Sequence, residues 1–359
     1  MDCCRIPNMA NDFEGTKSKD FRMNLKSVLS RLEKFAPSSL AEGWDNVGLL
    51  IQPGNTEKQI KYVMLTNDLT ENVLEEAIEQ KADMIISYHP PIFKPLRRIT
   101  QSSWKERITG VCLENEIALY SPHTAYDKIV GGVNDWLISP YGPNLPVPIS
   151  PEGSQVILVI SEIPEKDYSV LKSLMIVSSL DVTEVNSSTL KIRFAEGKFV
   201  DVIKKIQDYD HKLTKQMSIE TGASDVGAGR FSKLKQKISL EEAVKLTKSH
   251  LGLSHVRLAI ASGRTKDSSV SSVAVCAGSG SSVLASAPFA DLWVTGEMSH
   301  HEVLDAVHKG QSVILCEHSN SERGYLSNLV KQFKNDLFKD ENEISFFLSK
   351  KDKDPLEIV

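Results

Sequence analysis

Five of the chain's nine histidines, His89, His123, His300, His301 and His318, fall in four short windows: DMIISYHP, IALYSPHTAYD, DLWVTGEMSHH and SVILCEHSNSE. Each window closes a short apolar run, and each adds a further polar group: the phenol of Tyr88, then Asp127, then Glu297, then Glu317 with Glu322. Imidazole nitrogen combined with carboxylate oxygen is a ligand set for borderline divalent ions, Zn, Fe, Mn, Co or Ni, and a shared carboxylate can hold two such ions about 3.5–4 Å apart. The pattern predicts one or two divalent ions per chain. No HExxH or CxxC spacing holds a metal within one segment, so the ligands must be gathered by the fold.

Each residue also has a plainer reading. Ser319 and Glu322 have the S-x-x-E spacing of a helix capping box, in which the glutamate reaches back to the N-cap amide. His318 ends a buried strand, where a polar side chain needs a partner. His300 and His301 open a helix and point about 100° apart, so only one of them can face a site. His301 and Glu297 are the candidates for carrying a proton. His308, further along that helix, reads as a packing or surface residue, and Asp127 could organise a turn. AGSGSS (277–282) lacks the lysine of a phosphate loop and the full G-x-G-x-x-G pattern, so a tight strand-to-helix turn explains it. WDNVGLL (44–50) reads equally well as a turn.

The elements that would position these groups alternate. From Ile60, short β-rich runs and amphipathic helices follow one another (YVMLTND, NVLEEAIEQ, DMIISYH, WKERITGVCLENE, IALYSPH), which is the pattern of βαβ units feeding a mostly parallel sheet. In such sheets ligands collect beyond the C-terminal strand ends, where all four histidine windows lie. The break PNLPVPISPEG marks a boundary, and the next stretch runs strand, helix, two strands, helix, in the order of a small ferredoxin-like insert. After TGASDVGAGR the α/β alternation resumes. The expected plan is a polar, disordered tail over 1–22, an N-terminal α/β half over 23–145, an inserted α+β module over 150–235 and a C-terminal α/β half over 236–359.

Composition narrows the function classes. With 359 residues, 42 Lys+Arg, 47 Asp+Glu and a net charge of -5, the chain lacks the positive field that would gather nucleic acid, so direct DNA or RNA binding is not expected. No apolar run reaches the roughly 18 residues of a membrane span. The first residues show no apolar signal core, and Cys112, Cys276 and Cys316 sit in apolar runs, both pointing to a reducing cytoplasmic or nuclear setting.

In order along the chain, WDNVGLLI, SYHPPIF, SPHTAYD, CAGSGSS, TGEMSHHEVLDA and CEHSNSERG resemble the motifs of the NIF-three-like family, Ngg-interacting-factor homologues whose bacterial members are labelled GTP cyclohydrolase I type 2. The resemblance runs from about residue 24 onward and is most similar to the animal branch. It implies a two-half α/β body with a small insert, ring-shaped oligomers in bacterial relatives, and a dinuclear metal site. Carried across, the ligand positions become Tyr88 with His89, then Asp127, then His318 and Glu322. Tyr88 stands where the family has a first histidine; a neutral phenol is a poor ligand at neutral pH, which predicts one weaker ion unless His123 or His301 compensates. Two functions follow from the resemblance: a regulatory, corepressor-type protein that self-associates and binds a COP9 signalosome subunit, or a metal-dependent hydrolase of a nucleotide-like substrate.

Overall fold

The computed structural model describes residues 23–55, 58–178, 180–195, 198–210 and 217–359; the tail expected over 1–22, with Cys3 and Cys4, lies outside them. Three principal sheets organise the chain. The first has five strands in the order Gly48–Ile51, Ala118–Ser121, Met84–Ser87, Tyr62–Thr66 and Ser345–Leu348, all parallel except at the Gly48–Ile51 edge. The second has six: Arg257–Ala259, Ser312–Leu315, Leu292–Thr295, Ser269–Cys276, Arg230–Ser239 and Pro143–Val147. Its centre is parallel and its flanking pairs are antiparallel. The strand Ser345–Leu348 comes last in sequence yet pairs with Tyr62–Thr66, so the two halves interlock.

The period of the strands sorts their side chains. Val63, Leu65, Met84 and Ile86 point into one core with Val273, Val275, Leu292, Val294 and Ile314 of the second sheet. The intervening Met64 and Ile85 pack with Val73, Leu74 and Ile108 on the far side, and Ala274, Trp293 and Val313 pack with Ala306 on the other. This is the two-residue alternation of a pleated strand, with both faces covered by helices. The shared central core also takes Leu25, Val28 and Leu32 from the helix Leu25–Phe35, and Leu326 and Leu329 from Tyr325–Gln332. A fully buried aliphatic side chain contributes roughly 1.5–3 kcal/mol.

Local signals fix the helix starts. Asn24, Thr70, Ser103 and Ser239 each accept an amide three residues on, and Ser299 with Glu302 forms a complete capping box at the start of His300–His308.

Between Pro143–Val147 and Arg230–Ser239, both in the second sheet, lies a separate antiparallel sheet ordered Met217–Ala223, Ser154–Ile160, Thr189–Ala195, Asp181–Asn186. The helices Glu165–Val177 and Phe199–Asp210 pack on it through Leu171, Met175, Val202 and Ile206, against Leu158, Ile160 and Ile192. This is a ferredoxin-like βαββαβ unit with a core of its own.

Candidate metal centre

The parallel strands of both sheets end at one place. Tyr62–Thr66 runs out into Asn67 and Asp68, Met84–Ser87 into Tyr88 and His89, and Ala118–Ser121 into His123 and Asp127. From the second sheet, Ser269–Cys276 leads to Gly278, Leu292–Thr295 to Glu297, and Ser312–Leu315 to His318 and Glu322. His89, His318 and Glu322 meet there, with one potential ligand atom from each lying within 4.8 Å of the others. Glu322 Oε2 is 3.1 Å from His89 Nε2, and Glu322 Oε1 is 3.5 Å from His318 Nε2.

The opposite nitrogens of the rings are held. His89 Nδ1 lies 2.9 Å from Asp68 Oδ1, and His318 Nδ1 lies 2.8 Å from Glu297 Oε1. His123 repeats the arrangement, 2.7 Å from Asp45 Oδ1, and its ring centroid is 5.3 Å from that of His89. A carboxylate on Nδ1 fixes the tautomer that leaves Nε2 bare, which is the usual support of a metal-bound histidine. His89 Nε2 is buried, and its close partner is Glu322 Oε2 at 3.1 Å. The donor set of two imidazoles and a carboxylate therefore fits a borderline divalent ion, with three protein ligands and at least one position open.

Electrostatics agree with that fit. Burial alone would raise Glu322, but His89, His318 and Asn67, whose Nδ2 donates to Oε2 at 3.2 Å, hold it below the ordinary carboxylate value. Burial would lower His89, yet Glu322 and Asp68 push it up to about 10. Asp68 and Asp45 are both held low against burial, chiefly by hydrogen bonds to His89 and His123. Positive charge is what this pocket is built to receive.

Asp127 lies beside this group and outside it. Its Oδ1 accepts the Tyr88 hydroxyl, and burial lifts its pKa to about 6 despite that bond, with Glu322 adding to the rise. Tyr88 is fully buried, and burial together with Asp127 and Glu322 pushes its own pKa well above the usual phenol value, so it stays neutral. Glu297 is engaged by His318 and by the Ser279 hydroxyl. His301 is exposed in the first turn of its helix and does not line the cavity that holds His318. Glu322 does not cap Ser319: its carboxylate turns to His89 and Asn67, and the Ser319 hydroxyl donates to Asp354 instead.

The surrounding loops are shaped by the site. Gly278, at φ +64, lies so close that a Cβ there would sit 2.7 Å from Glu322 Oε1, so the AGSGSS turn carries a glycine because its backbone abuts the ligands. His123 at φ 35 and Glu317 at φ 68 also occupy the left-handed region, a strain of about 1–3 kcal/mol each that the surrounding structure holds in place. A cavity of about 490 Å³ opens over Asp127, His318 and Glu322, with Trp44 and Phe93 at its mouth, 62% and 38% exposed.

Sequence reading missed Asp45, Asp68 and Asn67. The signal for the last two was their place at the end of the YVMLT strand, and for Asp45 the WDN turn, whose carboxylate also accepts the Thr124 amide and hydroxyl.

Among known proteins, the family model described as Duf34/NIF3 (NGG1p interacting factor 3) matches residues 23–355. NIF3-like protein 1 of Bos taurus is 44% identical over 96% of this chain and 94% of its own. NGG1-interacting factor 3 of Saccharomyces cerevisiae is 33% identical over 94% of this chain and 98% of its own. The fold is shared with the crystal structure of the Bacillus cereus protein related to NIF3, at a TM-score of 0.73 and 23% identity, covering 94% of this chain and 99% of that one.

Proposed function

The chain belongs to the Duf34/NIF3 family, and from that premise we propose that it is a divalent-metal-binding regulatory protein that acts through protein partners. The observation that carries the metal half is the convergence of His89 and His318 on the buried Glu322, with each Nδ1 already committed to a carboxylate. The partner half is supported by the name of the yeast relative, an interacting factor of NGG1. Protein contact also suits a chain with net charge -5, since a role in transcription then needs no grip on DNA. A corepressor-type role, self-association, a COP9 signalosome subunit as partner and a cytoplasmic and nuclear location extend this proposal. No helix among the described residues is long and apolar enough to cross a membrane.

His89, His318 and Glu322 would hold one ion, and His123 and Asp127 stand near enough to assist a second. Asp68 and Glu297 hold the Nδ1 side of each ring, so that both Nε2 atoms face Glu322, and a bound ion would take the place of the His89 Nε2 proton. When bound, the ion would supply Lewis acidity at the floor of the cavity.

The test is metal quantification on protein purified without chelator. The wild type should carry about one tightly bound divalent ion per chain and the His318→Ala variant much less, while partner capture from cell extract survives that substitution. A metal-free wild type would remove the first half of the proposal. Loss of partner capture together with the ion, in a folded variant, would tie the two roles into one.

A second reading, metal-dependent hydrolysis of a nucleotide-like substrate, is favoured by one feature: the ligand set faces an open cavity of about 490 Å³ and is not sealed. Turnover of a nucleotide panel by the wild type, absent in His318→Ala, would support it.

A further inference from the structure

The ligands come from two halves of the chain, and one short segment grips both. Residues 349–354 follow the strand Ser345–Leu348 and begin anchored on Glu76 of the helix Glu71–Glu79. The Ser349 hydroxyl donates to Glu76 at 2.6 Å, and the amides of Lys350 and Lys351 donate to the same carboxylate at 2.9 and 3.2 Å. Asp352 then turns inward. Its side chain is 4% exposed, accepts the Asn67 amide at 2.8 Å and lies 3.3 Å from Arg323 Nε. Two residues on, Asp354 accepts the Ser319 hydroxyl at 2.9 Å.

Every group that Asp352 holds adjoins a metal ligand. Asn67 donates through its side chain to Glu322 Oε2. Asp68, next in sequence, holds His89 Nδ1 and faces Arg323 Nη2 at 3.7 Å. Arg323 directly follows Glu322. Asp352 therefore sits between the loop that orients His89 and the loop that carries Glu322, and its charge faces the one arginine that spans them. Metal–ligand distances fall within about 0.2 Å of their characteristic values, so a group that fixes the spacing of two half-sites bears on affinity.

We propose that Asp352 is a positioning residue for the metal centre, which fixes the His89 loop against the Glu322 loop through Asn67 and Arg323. This rests on the metal-binding reading above. Removing a group bonded directly to a ligand costs about 10- to 100-fold in metal affinity, and Asp352 acts one step further out, through Asn67 and Arg323.

The experiment is zinc titration of the full chain against a chromophoric chelator, for wild type, Asp352→Asn, Lys353→Ala and His318→Ala, with thermal unfolding of each metal-free protein. Lys353 is 76% exposed in the same segment and serves as the control. Asp352→Asn should raise the zinc Kd by more than twofold and up to about tenfold, with the metal-free protein still folded, and Lys353→Ala should stay within twofold of wild type. An Asp352→Asn Kd within twofold of wild type, beside a His318→Ala protein that has lost zinc, overturns the proposal and leaves the metal reading intact. A wild type that takes up no zinc overturns both. If Asp352→Asn does not fold, Arg323→Gln removes the same ion pair from the other side, and an unchanged Kd there overturns the proposal equally.

Discussion

The hydroxyl of Tyr88 donates to Oδ1 of Asp127, joining the residue that follows the strand Met84–Ser87 to the short helix Thr124–Lys128 beyond the neighbouring parallel strand Ala118–Ser121. The bond occupies a carboxylate that the sequence reading offers as a metal ligand, and it sets a neutral phenol beside it. The Tyr88→His variant should therefore free Asp127 and add a ligand, raising tightly bound divalent ions from about one to about two per chain. Elemental analysis after dialysis measures this directly, and an unchanged stoichiometry would show that Asp127 is not a latent ligand.

Gly278→Ala places a methyl group 2.7 Å from Glu322 Oε1 and 3.1 Å from His318 Nε2, at a backbone φ of +64. The left-handed conformation alone costs an alanine roughly 1–2 kcal/mol. The steric part falls on the ligands, so metal affinity should drop by an order of magnitude or more. Comparing zinc Kd with the thermal midpoint of the metal-free protein separates the two effects. A variant that loses stability but keeps its Kd would show that the loop is not in contact with the working site.

Arg230 is 1% exposed and binds Asp135 at 2.7 Å while donating to the carbonyls of Gly227, Gly229 and Ile129. It ties the root of the inserted module to the turn before the helix Val133–Ile138. Arg230→Met removes the buried charged partner of Asp135 and one donor to each of those carbonyls, and should destabilise by about 3–5 kcal/mol in urea unfolding. A change below 1 kcal/mol would mean that the surroundings rearrange to satisfy those groups.

Asp291 supplies a pH signature away from the candidate centre. Burial would raise its pKa, but bonds from the Ser271 hydroxyl and amide, and from Arg264, bring it down from 3.8 to about 2. A depressed folded value means stability that is present above about pH 4 and is lost as pH falls towards about 2, on the order of 2 kcal/mol. The stability gap between wild type and Asp291→Asn should be widest near neutral pH and shrink through that acid window. A gap that does not change between pH 6 and pH 2.5 would contradict the assignment.

The parts of this site that were legible in the sequence are those written within one segment. Runs such as DMIIS and SVIL announce buried strands, and a histidine at the end of each stands out because burial forces it to find a partner. Of the orienting carboxylates, Glu297 was visible as a candidate, in the role of proton carrier, whereas Asp68 and Asp45 were not legible, since Asp68 lies 21 residues from His89 and Asp45 lies 78 from His123. Nothing local distinguishes an aspartate that backs a histidine from one that organises a turn. Tyr88 shows the same limit from the other direction: its type was visible, but its bond to Asp127, 39 residues away, depends on the register of two strands. The fold was legible as alternation and as a break near residue 145. The pairing of Ser345–Leu348 with Tyr62–Thr66 was not, because SFFL is a short apolar run that would suit either sheet.

That pairing also bears on how the protein is made. Until residues 345–348 have left the ribosome, the strand Tyr62–Thr66 is an open edge with unpaired backbone donors and acceptors, and the central core lacks Phe346. An exposed edge invites pairing with another nascent chain. The order of synthesis thus leaves the strand Tyr62–Thr66 open until a much later segment of the chain has been made.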